Sequence, residues 1–523
     1  MKKFLLLGLL FISGHAIAQI TFEHRYESGV PVRVKLGFSG EKYYVHNLEN
    51  NRLDLFNADH TLWKSINTPI PAAGYFAGIS HVSDNIINND ENVEVAYSFF
   101  QNGDVGGTYN SHVISEDGTV LLVVPNCNYL LVDQTPGLAP KMISYGHQKN
   151  VYALPGLALE QSFTIINILT RIVLENSGEK YYYLDAPNGQ VKFFNSDYSL
   201  WKTVAIPKPA DGTYQSINFV SETSVNPDAS LEISYTYYRL APGYVPSNKL
   251  VSENGTVLLT VDNGYGLLLS KIGGLPAKAM SYHDGGITVY GLPALNAEHF
   301  YTGNVTRTIL DVSGEKYYET HEDQLLIYNN DHSLWKTINL SISDEMHGIQ
   351  SISSITEHKF DQDDQIEMVY TAVNNIALEE FDYESYVAKE NGELLLTVPE
   401  ASSLFLSEMS GLDTKLIAYL NGPSNASIGG EVYRVDRMMS VAGFENDARV
   451  TLYPNPANSV FNINAKSQIA QITIYNVLGI PVKQQNGRGL KRMNIEGLAA
   501  GHYLVKLTDA NQKESTHKMI VSK

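Results

Sequence analysis

The stretch Ser-Gly-Glu-Lys-Tyr-Tyr stands at residues 39–44, returns at 177–182 and returns again at 313–318. An eight-residue element follows each copy, and its seventh residue is a tryptophan; these are the three tryptophans of the chain, Trp63, Trp201 and Trp335. Two elements repeated in one order at a spacing of about 136 residues are typical of a repeat architecture. The sequence therefore predicts three copies of one structural unit.

Turn signals inside each copy indicate that the unit is built from strands. Glu-Asp-Gly at 116–118 corresponds to Glu-Asn-Gly at 253–255 and 390–392, and each triplet leads into an apolar run. Asp-Gly and Asn-Gly between alternating runs mark hairpins, because a tight turn needs positive φ at both central residues. Each copy holds about eleven or twelve strand-like runs, and we find no convincing helical pattern. The central part of the chain is predicted to be all-β.

Two architectures fit twelve strands in each copy. The favoured one is a propeller-like closed array, in which each unit supplies three four-stranded sheets and the whole ring has eight or nine. The chain before Ser39 would then complete the sheet that is left open after Val435. The alternative is three tandem β-sandwiches joined by short linkers.

The repeats and the punctuation between them divide the chain into five segments. We predict a signal peptide at 1–18, repeat units at 19–155, 156–293 and 294–440, and a separate C-terminal domain at 449–523.

The C-terminal domain reads as a small immunoglobulin-like β-sandwich. Alternating runs such as 460–464 and 472–475 are typical of strands with one buried face, and glycine and asparagine separate them.

This domain also carries motifs in a fixed order: Leu-Tyr-Pro-Asn-Pro-Ala at 452–457, Ile-Tyr-Asn at 474–476, and Gly-His-Tyr-Leu-Val at 501–505. With these motifs it resembles the type A C-terminal sorting domain of proteins exported by the type IX secretion system. The resemblance implies recognition by that machinery and a secreted location, either extracellular or attached to the outer cell surface. The central repeats resemble an uncharacterised family of such cargo.

The N-terminus independently indicates export. Lys2 and Lys3 precede an apolar stretch from 4 to 12, and Ala-Ile-Ala at 16–18 forms a small-x-small cleavage site. The stretch is too short to span a bilayer, and no later segment qualifies as a transmembrane span. Cys127 is the single cysteine, so the chain holds no intramolecular disulfide and must be stable through packing.

Net charge argues against nucleic acid as a partner. The chain carries a formal charge of −19, although its last 75 residues hold ten basic and three acidic side chains. An acidic body repels nucleic acid and anionic membranes and favours the retention of divalent cations.

One acidic spacing recurs in all three units. It places an Asn or Asp two residues before an Asp, and a Glu four residues after that Asp: Asn88, Asp90 and Glu94; Asn226, Asp228 and Glu232; Asp361, Asp363 and Glu367. Alternating side-chain oxygens followed by a carboxylate resemble part of a Ca²⁺ site. The alternative is an Asx turn, in which the first side chain bonds its own downstream backbone before a strand begins.

No catalytic motif stands out in the sequence. We find no His-Glu-x-x-His, no Gly-x-Ser-x-Gly and no phosphate-binding glycine loop. The sequence therefore favours a non-enzymatic binding or adhesion module for an extracellular glycan or protein, in which three weak sites act together. The alternative is an extracellular hydrolase of polysaccharide or peptide. The loops at 103–109 and 241–247 are the main irregularities between the units.

Overall fold

The computed structural model describes residues 20–103, 106–226, 228, 230–239, 243–361, 363–377, 380–422, 426–435, 451–465, 468–476, 481–509 and 514–522. The chain divides into two compact bodies, and the boundary between them lies between Asp436 and Arg437. The predicted signal peptide at 1–18 lies outside the described residues.

Each repeat unit contributes twelve strands to the first body, counted over the described residues. In unit 1 they are β1 (Ile20–Tyr26), β2 (Val32–Leu36), β3 (Gly40–Asn47), β4 (Arg52–Asn57), β5 (Leu62–Asn67), β6 (Gly74–Ser83), β7 (Glu94–Gly103), β8 (Gly106–Ser115), β9 (Val120–Pro125), β10 (Cys127–Asp133), β11 (Lys141–Gly146) and β12 (Lys149–Ala153). In unit 2 they are β13 (Ala158–Phe163), β14 (Thr170–Leu174), β15 (Gly178–Asp185), β16 (Gln190–Asn195), β17 (Leu200–Ala205), β18 (Gly212–Ser221), β19 (Glu232–Arg239), β20 (Val245–Ser252), β21 (Val257–Asp262), β22 (Gly264–Ser270), β23 (Lys278–His283) and β24 (Gly286–Gly291). In unit 3 they are β25 (Asn296–Tyr301), β26 (Thr306–Leu310), β27 (Gly314–His321), β28 (Gln324–Asn329), β29 (Leu334–Asn339), β30 (Gly348–Thr356), β31 (Glu367–Ala377), β32 (Glu380–Lys389), β33 (Leu394–Pro399), β34 (Ala401–Ser407), β35 (Lys415–Asn421) and β36 (Ser427–Val435). A single 3-10 turn at Ala186–Asn188 is the helical element of the described chain.

Within the described residues these strands form nine antiparallel sheets of four strands, which we number 1 to 9 in chain order. Sheet 1 is β2–β5, and the series continues in fours through sheet 8, β30–β33. Sheet 9 consists of β34, β35 and β36, and β1 supplies its fourth strand. The predicted all-β fold and the predicted completion of the last sheet by the first strand are confirmed.

Apolar clusters between neighbouring sheets close the nine sheets into a ring. Each sheet shares a buried cluster with the next: for example, Leu53 and Leu55 of sheet 1 pack with Val95 of sheet 2. The same relation holds for the following seven pairs of sheets. A ninth cluster joins Tyr26 and Val432 of sheet 9 to Tyr43 and Val45 of sheet 1. The ring is therefore continuous, as in a β-propeller.

The sheets are offset from the sequence repeats by one strand. Sheet 3 takes its last strand, β13, from unit 2, and sheet 6 takes β25 from unit 3. β1 is the counterpart of these two strands and pairs with β36 in sheet 9, with Ile20 opposite Val435. Every unit is thus hydrogen-bonded to another unit, which excludes three independent tandem sandwiches.

The repeated Ser-Gly-Glu-Lys-Tyr-Tyr stretch makes the turn between the first two strands of sheets 1, 4 and 7. Its glycine has positive φ in every copy, 73° at Gly40, 69° at Gly178 and 73° at Gly314. A side chain there would be strained, so glycine is favoured. The tyrosine directly after the lysine is fully buried in each copy, at positions 43, 181 and 317. The repeated tyrosine is thus a core position.

The glutamate of the same stretch holds a buried arginine at each joint between units. Arg171 donates to Glu179 over 2.8 Å and to Asp133 over 3.1 Å, and its third donor reaches the carbonyl of Ala139 in sheet 3. Arg33 and Arg307 make the equivalent contacts, to Glu41 and Glu315 and to carbonyls of the preceding sheet. Each arginine side chain is 1% exposed.

The repeated tryptophans lie between two lysines. Lys42 and Lys64 stand 4.7 and 4.4 Å from the Trp63 ring centre, and the other two copies repeat this cation–π arrangement. Lys64 also binds Glu116, the glutamate of the Glu-Asp-Gly triplet, over 2.5 Å. The tryptophan element is thus tied to the next sheet of its own unit.

The second body is a two-sheet sandwich, as predicted. One sheet has the order β37 (Thr451–Tyr453), β38 (Val460–Asn464), β41 (Arg492–Asn494); the other has the order β40 (Pro481–Asn486), β39 (Ile469–Tyr475), β42 (Gly501–Asp509), β43 (Glu514–Val521). Phe461, Ile472 and Val505 are among the fully buried residues between the sheets.

We predict that Arg171→Ala destabilises the ring by about 1–3 kcal/mol, because it removes the buried donors of the Ala139 carbonyl and of two partly buried carboxylates. Urea unfolding followed by tryptophan fluorescence measures this effect, since all three tryptophans lie in the ring. Arg239→Ala is the matched control: its 4.0 Å pair with Asp262 is exposed to solvent, and we expect little or no loss of stability. Equal losses in the two variants would contradict the role given to the buried arginine.

Candidate functional site

The three acidic loops occupy equivalent places in the ring. Each joins the first two strands of the second sheet of its unit, at 84–93, 222–231 and 357–366. The predicted glutamates, Glu94, Glu232 and Glu367, each begin the second strand of that sheet and are fully buried. The structure therefore places six of the nine predicted residues in three matching loops and the three glutamates at the first position of the strands that follow.

An Asx turn is present in every copy. The amide N–H of Asp90 donates to Asn88 Oδ1 over 3.2 Å, and the N–H of Asn92 donates to Asp90 Oδ1 over 3.0 Å. Units 2 and 3 repeat both bonds at lengths between 2.9 and 3.1 Å. The first two residues of each predicted site thus shape the loop, whatever else they bind.

The third residue of the site differs between the copies. Among the described residues, neither carboxylate oxygen of Glu94 has a hydrogen-bond partner, and neither does the neighbouring hydroxyl of Ser83. In unit 2, Oε2 of Glu232 likewise has no partner in the described part of the chain, while Oε1 accepts from Ser230 over 3.3 Å. Burial, with Asp90 adding repulsion, raises the pKa of Glu94 to about 8, and burial raises that of Glu232 to about 8.

Glu367 in unit 3 is fully satisfied by its loop. It accepts backbone N–H donors from Lys359, Phe360 and Asp361 over 2.8–2.9 Å, and the hydroxyl of Thr356 over 2.7 Å. Burial raises the pKa of Glu367, and these donors oppose that rise. Identical sequence spacing therefore produces one carboxylate whose two oxygens are both hydrogen-bonded and two carboxylates with at least one oxygen that has no partner among the described residues.

The residue that opens each acidic loop has a structural role that the sequence analysis missed. Asp84 accepts the backbone N–H groups of Phe38 and Ser39, the latter over 2.7 Å. Glu222 and Glu357 accept the equivalent N–H groups of the other two turns. Each acidic loop is thereby anchored to the sheet before it. An acidic residue at the same position in all three copies was the available signal.

A second candidate site lies at the other end of the same sheets. The hairpins β7–β8, β19–β20 and β31–β32 join the middle strands of sheets 2, 5 and 8. The irregular loops noted in the sequence at 103–109 and 241–247 fall at the ends of two of these hairpins.

Aromatic rings cluster near each hairpin end, where the three units differ in sequence. In sheet 2, Tyr75, Phe100 and Tyr109 lie side by side on three neighbouring strands, with 5.0 Å between successive ring centres. Tyr75 is 53% and Tyr109 is 39% exposed. We call this row the aromatic row.

The other two hairpins carry pairs of rings. Tyr238 and Tyr244 lie 5.8 Å apart in an edge-to-face contact, and Tyr244 is 76% exposed. Phe381 stacks on Tyr383 at 6.2 Å. The sequence analysis did not find these residues, because it relied mainly on repetition. Repetition marks structural positions, whereas the aromatic clusters at the hairpins differ from unit to unit.

The remaining sequence candidate, Cys127, packs inside the ring. It begins β10, is fully buried between sheets 2 and 3, and corresponds to Gly264 and Ala401 at the start of β22 and β34. Burial raises the pKa of its thiol. A thiol of this kind is a poor nucleophile.

The second body matches a known family. The model described as the secretion system C-terminal sorting domain covers residues 451–522. The chain is therefore a cargo protein of the type IX secretion system, exported to the cell surface or the extracellular space. The match lies outside the ring. No helix in the described part of the chain is long and apolar enough to cross a membrane.

No curated relative matches the chain. Among solved structures, BamB from Moraxella catarrhalis is 8% identical, with 63% of this chain and 89% of that one covered, at a TM-score of 0.34. Sqt1 from Saccharomyces cerevisiae is 11% identical, with 69% and 96% covered, at 0.35. The V. cholerae biofilm matrix protein Bap1 is 12% identical, with 78% and 77% covered, at 0.27. These TM-scores indicate only weak structural similarity. The ring is established by the strand pairing and the packing of this chain itself.

We predict that Glu94 makes the ring less stable as pH rises in chelator-containing buffer. The folded-state pKa lies above the ordinary value of 4.5, so the native state binds the extra proton between about pH 4.5 and 8. Stability then falls with rising pH across that window, by up to about 1.4 kcal/mol per pH unit for one group, and levels off above it. Glu94→Gln should flatten this slope in urea unfolding at pH 5, 6, 7 and 8.

Glu367→Gln is the control for that measurement. Its amide would face backbone N–H donors with one acceptor oxygen instead of two, so we expect lower stability at every pH. A Glu94→Gln slope equal to that of the unmodified protein would show that Glu94 is ionised in the fold.

Proposed function

We propose that the ring is a non-enzymatic binding module for an extracellular glycan or protein, delivered to the outside of the cell by an N-terminal signal peptide and the type IX route. The aromatic row of sheet 2 is the observation that carries the proposal. Exposed aromatic rings grouped on a rigid sheet are uncommon on proteins without a partner, and such patches usually mark interaction surfaces. Tyrosine is also enriched where proteins bind, because it offers a large contact area and a polar end at low entropic cost.

Stacking suits this surface. Tyr75 stacks on Phe100 at 30° with centres 5.0 Å apart, and Tyr75 is half-exposed, so a ligand can reach this ring from the solvent. A sugar ring presents apolar C–H groups to such a face, and a protein loop can place an apolar side chain there. The hydroxyls of Tyr75 and Tyr109 can hydrogen-bond to the same ligand.

The threefold repeat adds avidity. Sheets 2, 5 and 8 are spaced evenly around the nine described sheets, so the three clusters of aromatic side chains repeat at intervals of three sheets. A repetitive ligand that reaches two clusters gains effective concentration, which raises overall affinity by 10²- to 10⁴-fold without new contacts. This favours polymers such as polysaccharides or assembled surface proteins.

We predict that Tyr75→Ala with Tyr109→Ala weakens binding to the ligand found in a glycan and matrix-protein screen by at least about tenfold, the effect of losing one important aromatic contact. Tyr244→Ala added to this pair should weaken it further, because it removes a second cluster. Surface plasmon resonance on immobilised ligand measures both effects. Phe300→Ala is the matched control, since this ring is 50% exposed on β25, away from the hairpins, and should leave binding unchanged.

The screen also separates binding from hydrolysis. Retention of the ligand without release of reducing ends or peptides supports the proposal. Release of products at a rate that falls in the hairpin variants would identify a hydrolase instead. Binding that the triple variant leaves intact would assign the function to another surface.

A further inference from the structure

In unit 3 the acidic loop binds a lysine side chain of the same unit. The ammonium of Lys389 contacts Asp361 and lies 2.9 Å from Asp363. Lys389 is 7% exposed, and the two carboxylates hold its pKa above the ordinary value. The loop thus surrounds a positive charge, which its own sheet provides.

In the described residues of units 1 and 2, the position that corresponds to Lys389 holds an uncharged residue. Lys389 stands directly opposite Glu367 in the pairing of β31 with β32. The residues opposite Glu94 and Glu232 are Ser115 and Ser252. Among the described residues, no lysine, arginine or histidine forms an ion pair with the predicted carboxylate ligands of these two loops, Asp90, Glu94, Asp228 and Glu232; the nearby Lys64 and Lys202 pair with Glu116 and Glu253.

The two loops that lack a lysine are also those with unpartnered buried oxygens. In unit 1 these are both carboxylate oxygens of Glu94 and the hydroxyl of Ser83, and in unit 2 it is Oε2 of Glu232. A buried polar atom without a partner costs roughly 1–3 kcal/mol, and a buried charge costs more. Unit 3 avoids this cost through four donors to Glu367, and its lysine neutralises the two aspartates.

We propose that units 1 and 2 each bind a Ca²⁺ ion where unit 3 holds the ammonium of Lys389. The ligands are side-chain oxygens of Asn88, Asp90 and Glu94 with Ser83 in unit 1, and of Asn226, Asp228 and Glu232 in unit 2.

The donor set explains the choice of ion. In the described residues no three His, Cys, Asp or Glu side chains are grouped so that they could hold a metal by themselves. An ion at these places must therefore also use amide, hydroxyl, carbonyl and water oxygens, which suits Ca²⁺. Each loop offers two carboxylates beside amide and hydroxyl oxygens, all hard donors, and Ca²⁺ completes six to eight ligands with carbonyl and water oxygens. With only two carboxylates, we expect affinity in the range of extracellular calcium modules, Kd about 10⁻⁴–10⁻³ M.

Isothermal titration with CaCl₂ up to about 10 mM, with MgCl₂ and EDTA as references, tests the proposal on the full chain. We expect two sites and a melting temperature that rises with calcium, because the ion binds only the folded ring. Ser115→Lys with Ser252→Lys should copy unit 3: no calcium sites remain, and the melting temperature no longer responds to calcium or EDTA. Ser115→Lys alone should leave one site.

Thr108→Lys with Thr213→Lys is the matched control, because it adds the same charge to the same two sheets at exposed positions near their hairpin ends, away from the acidic loops. Two sites should remain there. Asp90→Asn with Asp228→Asn keeps an Asx acceptor and removes the charge, so calcium affinity should fall at least tenfold even if the lysine variants do not fold. Absence of a calcium response up to 10 mM, or binding that survives both the lysine and the asparagine variants, would overturn the proposal.

Discussion

The pairing of β1 with β36 is the constraint on which the ring depends. Ile20 lies opposite Val435, so the two ends of the repeated region meet in one sheet although more than four hundred residues separate them. Without β1, sheet 9 would have only three of its four described strands, and Tyr26 would be lost from the cluster that joins sheet 9 to sheet 1. A chain that lacks disulfides needs such a closure, because every sheet then has two neighbours and no apolar face is left over.

The offset of one strand between the sequence repeats and the sheets also helps to hold the ring together. Had each unit kept its own twelve strands in three complete sheets, only side-chain packing would connect the units. Because β13 and β25 cross into the preceding sheet, backbone hydrogen bonds also join unit to unit. The buried arginines at positions 33, 171 and 307 stand at these same three joints, where each bridges the first strand of one unit's first sheet to carbonyls of the sheet before it. Charge and backbone pairing therefore reinforce the same connections.

Sequence repetition predicted the fold well for a physical reason. A residue that recurs at the same position in every unit fills the same place in every interface, as Tyr43, Tyr181 and Tyr317 do. The all-β class, the three units and the completing first strand all follow from that regularity. Repetition also located the three acidic loops, and it predicted the same role for each of them, either part of a Ca²⁺ site or an Asx turn. The difference between the loops depends on Lys389, which lies opposite Glu367 in the sheet and 22 residues away in sequence. Only strand pairing brings the two together.

The aromatic rings were missed for the opposite reason. Tyr75, Phe100 and Tyr109 are far apart in the sequence, and units 2 and 3 have other residues in that row, so repetition could not single them out. The three hairpins occupy equivalent places in the fold but carry different aromatic side chains. Their exposed contacts can therefore change while the core of each unit stays the same. A substitution at Tyr43 disturbs an interface that all nine described sheets need for closure, whereas a substitution at Tyr109 changes only one exposed surface. In this ring, shared positions maintain the structure, and the positions where the copies differ are free to recognise a partner.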